Sequence, residues 1–354
     1  MKIPFEKKYR EKYVKLVEKI FDSNFLSEGS MVKTFEDKFS QFVDIPSIAV
    51  TNGGSALFAM YEYIGVSGSE VIVPANTFWA TSAAAKKAGA KVVYADCNKE
   101  DLCLSFNDLQ KKVTQNTKAI VVVHIGGHIA FEIEKIAAFC KENNIHLIED
   151  CAHAHGAKFN NKTAGSWGLG GAYSFYATKT MPLGEGGMIC SNDNSFLEWL
   201  KYYRNYGKKV SNGEVSYHIS NGFNFRMNEV TAALGIVQIE RLPEILSWKH
   251  HLAKKFDDIF DNRIKFPVGM ESGYYKYIVF DYNLNEQTGK VFNTTDFGNE
   301  IDQMKAGNEN DQVKVDLKNS YWIAEHHKCV PIWYGWNGSE LSVDELKNRL
   351  ISKF

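Results

Sequence analysis

Short runs that are apolar throughout alternate along this chain with longer amphipathic stretches. The apolar runs are SIAVT (47–51), VIVPA (71–75), KVVYAD (91–96), AIVVVHI (119–125), IHLIED (145–150), GAYSFYA (171–177) and GMICS (187–191). Between them, SALFAMYEYIG, TSAAAKKAG and FEIEKIAAFCKENN carry helical spacing, as do Tyr13, Leu16, Val17 and Ile20 near the start. Strands without polar alternation belong to a sheet covered on both faces, so the pattern predicts a mostly parallel, seven-stranded α/β core. From about Leu242 the pattern changes to a long helix (PEILSWKHHLAKKFDDIF), a strand-like YYKYIVFDYNL, a polar stretch and a final helix. The expected division is a large domain over residues 1–241 and a smaller α+β domain over 242–354. Residues 285–319 carry the least legible pattern.

Composition narrows the class. A chain of 354 residues with 44% hydrophobic content can bury a large core. Lys plus Arg (41) nearly balances Asp plus Glu (42), which points to a small-molecule partner rather than nucleic acid or a membrane surface. No apolar run approaches the roughly 18 residues that span a bilayer. The six cysteines form no CxxC pair, which offers no metal site, and no signal segment opens the chain. A cytoplasmic protein is expected.

Ligands of open parallel sheets bind beyond the carboxyl ends of the strands, so the polar residues there come first. After SIAVT comes Asn52-Gly53-Gly54-Ser55 and a helix, read either as a phosphate cup or as a helix capped by Ser55. IHLIED ends in Asp150, followed by His153, and a buried acid there is either a structural pair or the partner of a protonated pyridine nitrogen. Between the last two strands lie Ser174, Lys179 and the turn Gly184-Glu185-Gly186-Gly187. A lysine at a strand end beside a glycine turn suits an amine that reacts with a carbonyl, although an arbitrary lysine is a solvated one. Phe78 and Trp79, after VIVPA, offer an aromatic face for a flat ring or simply belong to the core.

Together these motifs supply a phosphate cup, a ring stack, a pyridinium partner and an amine, in that chain order. The chain resembles the DegT/StrS family of sugar aminotransferases in FLSEGSMVKTFEDKF, NGGSAL, TFWAT, IEDCAHAHGA, SFYATKTMPLGEGGMI and NGFNFRMNEVTAALGIVQIERL, over about residues 25 to 242. The resemblance implies the pyridoxal 5'-phosphate (PLP) transferase fold of type I, with Lys179 holding PLP as a Schiff base and later moving a proton. It implies Asp150 on the ring nitrogen, Phe78 on the ring face, and His153 beside the ring hydroxyl. It further implies Ser174 with Gly53, Gly54 and Ser55 on the phosphate. Asn224, with Arg226 nearby, aligns with a loop that family homodimers insert into the neighbouring site. The implied reaction moves an amino group from glutamate to a nucleotide-linked keto-deoxysugar. The alternatives are an inositol ketone or small phosphoketone as acceptor, or a non-catalytic PLP-binding regulator. PMP-dependent sugar dehydratases of the same fold carry His where this chain has Lys179. Two departures stand out: HIGGHIAFEI lacks the family's usual Pro, and Gly273-Tyr274-Tyr275-Lys276-Tyr277 replaces a histidine-rich segment.

Overall fold

The structure is a computed structural model and describes residues 4–211, 215–291 and 317–352. Most of the least legible stretch, residues 292–316, lies outside the described residues. Seven strands form the central sheet: β1 (Ser47–Val50), β2 (Glu70–Pro74), β3 (Lys91–Ala95), β4 (Thr117–Val123), β5 (His146–Asp150), β6 (Gly170–Ser174) and β7 (Gly187–Cys190). They coincide with the seven apolar runs to within a few residues. Their spatial order is β1-β7-β6-β5-β4-β2-β3. β7 runs antiparallel between β1 and β6, and the other neighbours are parallel.

The apolar run expected through residue 177 stops being strand at Ser174. There the chain leaves the sheet in a loop, closed where Phe175 N–H donates to Gly186 O (2.9 Å) and Leu183 N–H to Phe175 O (2.8 Å). Lys179 sits in that loop.

Helices cover the sheet, among them α1 (Lys7–Ser23), α2 (Ser30–Val43), α3 (Gly53–Ile64) and α4 (Trp79–Lys87). The longest is α5 (Glu229–Asp257), of 29 residues with Pro243 inside it. Its first half buries Ala232, Ile236 and Leu242 in the main core. Its second half buries Leu252, Ala253 and Phe256 in a separate core. That second core is completed by the antiparallel pair β8 (Tyr277–Phe280) and β9 (His327–Val330), by Trp336, and by α6 (Val343–Leu350). The division expected between residues 241 and 242 thus falls inside a continuous helix, where its buried face passes from one core to the other. Among the described residues, no helix is long and apolar enough to cross a membrane.

The start of α5 also holds the start of α2. The Glu229 carboxylate, 2% exposed, accepts from the N–H groups of Gly29 (2.9 Å), Met31 (2.8 Å) and Val32 (3.0 Å). These are the donors that a helix N-terminus leaves without an intrahelical partner. Glu229→Ala strands them in a buried place and is expected to cost about 2 to 4 kcal/mol of unfolding free energy. Denaturant titration checks this, and a cost below about 0.5 kcal/mol, the ordinary surface value, would remove the clamp from the account.

Candidate active site

The loop from β1 into α3 builds one wall of a 440 Å³ cavity at the carboxyl end of the sheet. Asn52 caps α3 with its side chain on the Ser55 N–H (2.8 Å), and the Ser55 hydroxyl answers on the Asn52 N–H (3.1 Å). Asn52, Gly53 and Gly54 line the cavity, and the first N–H groups of α3 have no intrahelical partner. Position 53 is crowded, since an added Cβ would lie 3.0 Å from the Ser174 Cβ. The Ser55 hydroxyl is turned away, because it also donates to the Asn52 carbonyl (2.8 Å) and meets the Thr51 hydroxyl (2.8 Å). Of the expected cup, Gly53, Gly54 and Ser174 face the cavity and Ser55 caps the helix behind it.

β5 supplies the floor. Asp150 is buried and accepts from the Thr81 hydroxyl (2.8 Å) and the Ala152 N–H (3.1 Å). Burial raises its pKa, while those two bonds and the Lys179 charge oppose the shift. Its neighbour Glu149 points away from the cavity, as the pleat dictates. There it accepts from Gly165 (2.6 Å), Trp167 (2.6 Å) and Gly168 (3.1 Å) N–H groups and from His124 Nε2 (2.9 Å). His124, Glu149 and Cys151 come close enough to suggest a metal triad. Hydrogen bonds already use the first two: the other His124 nitrogen accepts from the Ala130 N–H (3.2 Å).

Lys179 completes the constellation. Burial pulls its amine down to about 8, with Asp150 opposing and Lys276 adding to the effect. Its Nζ lies 5.1 Å from the centroid of the Tyr275 ring, and that ring stacks on His153 at 4.0 Å and 19°. His153 Nδ1 is buried without a partner among the described residues, and burial lowers the imidazole pKa. Phe78 lines the cavity with 70% of its surface exposed. A phosphorylated aromatic aldehyde fits this donor set: free helix N–H groups, a buried acid, an unpartnered imidazole nitrogen, an exposed ring face and a depressed amine.

Asn224 is not part of its own chain's cavity. It is exposed, its Oδ1 accepts from the Arg226 N–H (3.3 Å), and Arg226 in turn donates to Asn205.

Thr81, Tyr275, Lys276 and Lys290 also reach the site and are not among the residues expected from sequence. Thr81 closes the TFWAT motif, in which sequence alone assigns this residue no separate role. Tyr275 and Lys276 lie within a departure noted in the sequence, and the structure joins it to the other one. Gly126 and Gly127 adopt positive φ (71° and 102°), and their carbonyls accept from the N–H groups of Lys276 (2.9 Å) and Gly273 (2.7 Å), respectively. A Cβ at Gly127 would lie 2.5 Å from the Tyr275 backbone nitrogen, so the backbone of residues 273–276 docks here because position 127 carries no side chain.

The sequence profile of the DegT/DnrJ/EryC1/StrS aminotransferase family matches residues 7–342. The chain is 34% identical over 251 residues to GDP-perosamine synthase of Escherichia coli O157:H7, a match covering 70% of this chain and 67% of that protein. It is 35% identical over 230 residues to GDP-perosamine synthase of Vibrio cholerae, covering 64% and 62%. The chain thus matches about two thirds, or slightly less, of these relatives' lengths. Among solved structures, the aminotransferase TlmJ from Streptoalloteichus hindustanus superposes with a TM-score of 0.82 at 25% identity, over 95% of each chain. The expected PLP-transferase fold is borne out, and with it the expected cofactor. With nearly its whole length matched and its half-buried lysine, buried acid and helix N-terminus in one cavity, the chain belongs to the DegT/DnrJ/EryC1/StrS family of PLP-dependent aminotransferases.

Proposed function

We propose that this protein transfers an amino group from glutamate to the keto carbon of a nucleotide-linked deoxysugar, as a cytoplasmic homodimer with shared sites. The observation that carries the reading is Lys179, a mostly enclosed amine pulled down to about 8 beside the buried Asp150. The acceptor class is read from the names of the two relatives, and the compartment from six free, buried cysteines.

Gly53, Gly54 and Ser174 would hold the cofactor phosphate, Phe78 the ring face, Asp150 the ring nitrogen, His153 the ring hydroxyl and Lys179 the aldehyde carbon. When bound, PLP supplies an electron sink for negative charge beside the transferred nitrogen. Lys179 Nζ moves the proton, since a group titrating near the working pH both takes and returns one. Asp150 would place a negative charge at the ring nitrogen, and Thr81 and the Ala152 N–H keep that carboxylate oriented. Tyr275 braces His153 from the other domain. Asn224 and the adjacent Phe223, 53% exposed, lie on a surface suited to a second copy, whose phosphate Asn224 would reach.

The direct test is amination of nucleotide-linked keto sugars with glutamate as donor. Parent turnover is expected, and Asp150→Asn should lower it roughly 100- to 1,000-fold, about 2.7 to 4 kcal/mol, with the fold intact by circular dichroism. Turnover near the parent's would end the proposed role of Asp150.

A lowered amine pKa sets the pH dependence of cofactor capture. Below about 8 the Lys179 amine is protonated and cannot attack an aldehyde, so capture by the apoprotein should accelerate as pH rises through that value. Borohydride trapping followed by peptide mass spectrometry reads this, and a flat profile or a label elsewhere contradicts it.

Sharing of the site is tested by mixing Lys179→Ala and Asn224→Ala subunits. In a heterodimer one site carries both defects and the other neither, so activity should rise above either parent variant. No recovery, with subunit exchange verified and Asn224→Ala impaired alone, would return Asn224 to its own subunit or remove it from the site.

A further inference from the structure

Behind Lys179, on the side of the second core, lies a further chamber of 490 Å³. It shares Thr178, Lys179, Tyr275 and Lys290 with the cofactor cavity, so a ligand seated in it borders the reactive amine. Its walls carry Lys249 from α5, Lys276 from the segment docked on Gly126, and Lys290.

These ammoniums are poorly matched. Lys249 is 4% exposed and donates to the Tyr274 carbonyl (2.8 Å), Lys276 donates to the Thr288 hydroxyl (3.1 Å), and Lys290 donates to the Ala324 carbonyl. All three acceptors are neutral. Among the described residues, no carboxylate forms an ion pair with any of them. An ammonium has three donors, and a buried cation such as Lys249 is ordinarily paired with an anion, whereas Lys276 is half-buried and Lys290 exposed. Burial, with Lys276 adding, pulls Lys249 down to about 7, the direction an unmatched cation takes. An anion entering the chamber would reverse that cost.

Size and position select the anion. The chamber's 490 Å³ holds a small diacid, and the exposed Phe78 and Tyr176 rings line the cofactor side rather than the chamber. Two carboxylates answer more of the three charges than one does. We propose that this lysine chamber seats the carboxylates of a dicarboxylic amino donor, with Lys249, Lys276 and Lys290 as its specificity-determining residues. The proposal rests on the reading of Lys179 as the lysine that holds the cofactor.

The test uses holoenzyme reduced with borohydride, which fixes the cofactor on Lys179 and stops turnover. Calorimetry then measures binding of 2-oxoglutarate, pyruvate and inorganic pyrophosphate to the parent, Lys276→Gln and Lys290→Gln. The parent should bind 2-oxoglutarate more tightly than pyruvate. Lys276→Gln should weaken 2-oxoglutarate about tenfold or more, the loss of one charge-assisted hydrogen bond, and pyruvate by less. Equal 2-oxoglutarate affinity in parent and variants overturns the proposal, as does a loss confined to pyrophosphate. Should Lys276→Gln fail to fold, Lys290→Gln, at the exposed rim, reads the same outcomes. Mass spectrometry of the reduced protein separates the two levels. Cofactor on Lys179 with indifferent diacid binding overturns the chamber alone, whereas no cofactor on Lys179 overturns the site reading and the donor's seat with it.

Discussion

Two adjacent carboxylates at the end of β5 set the terms for everything around them. A strand sends neighbouring side chains to opposite faces, so Glu149 and Asp150 must each find partners in a different environment. Glu149 finds three backbone N–H groups and His124, and thereby fixes the loop over residues 165–168 behind the sheet. Asp150 finds a hydroxyl and one N–H, fewer bonds than its two oxygens can accept. One carboxylate is saturated and structural. The other is left with capacity, and that residual capacity makes the cavity a place for a cation.

Much of this arrangement was legible in the sequence because it is local. Each site strand is a run of apolar residues ending in a polar one, which marks Asp150 and Ser174 for inspection, whereas Lys179 lies in the loop beyond its strand and took its role from the family resemblance. Motif order did the rest, since the cup, acid and amine follow one another along the chain. Direction is harder to read. Ser55 looks like a phosphate ligand until the capping geometry shows its hydroxyl committed to Asn52, because a serine three residues after an Asn cap has two competing uses. Thr81, Tyr275 and Lys276 reach the site through tertiary folding, which no local pattern encodes. The long helix was legible in its second half, but its passage across the expected domain boundary was not, because a change of core alters what a helix faces rather than its period.

Lys276 is where two oddities of the sequence become one structural fact. The glycine pair at residues 126 and 127 has no side chains to obstruct a second strand of backbone, and positive φ turns its carbonyls towards it. The segment of residues 273–276 uses that opening. Backbone bonds rather than side chains therefore bring Tyr275 and Lys276 beside Lys179, which leaves those side chains free to vary in identity without losing their place.

α5 carries Pro243 between the stretch that fills the main core and the stretch that fills the second. A proline has no N–H to give, so the helix lacks one rung of its ladder at the crossing. Ile245 and Lys249, in the next two turns, face the lysine chamber. The missing rung thus lies just before the residues that face the lysine chamber. Lys249 therefore takes its position from the helical segment anchored in the second core, beyond the missing rung, while Lys179 takes its position from the loop on the central sheet.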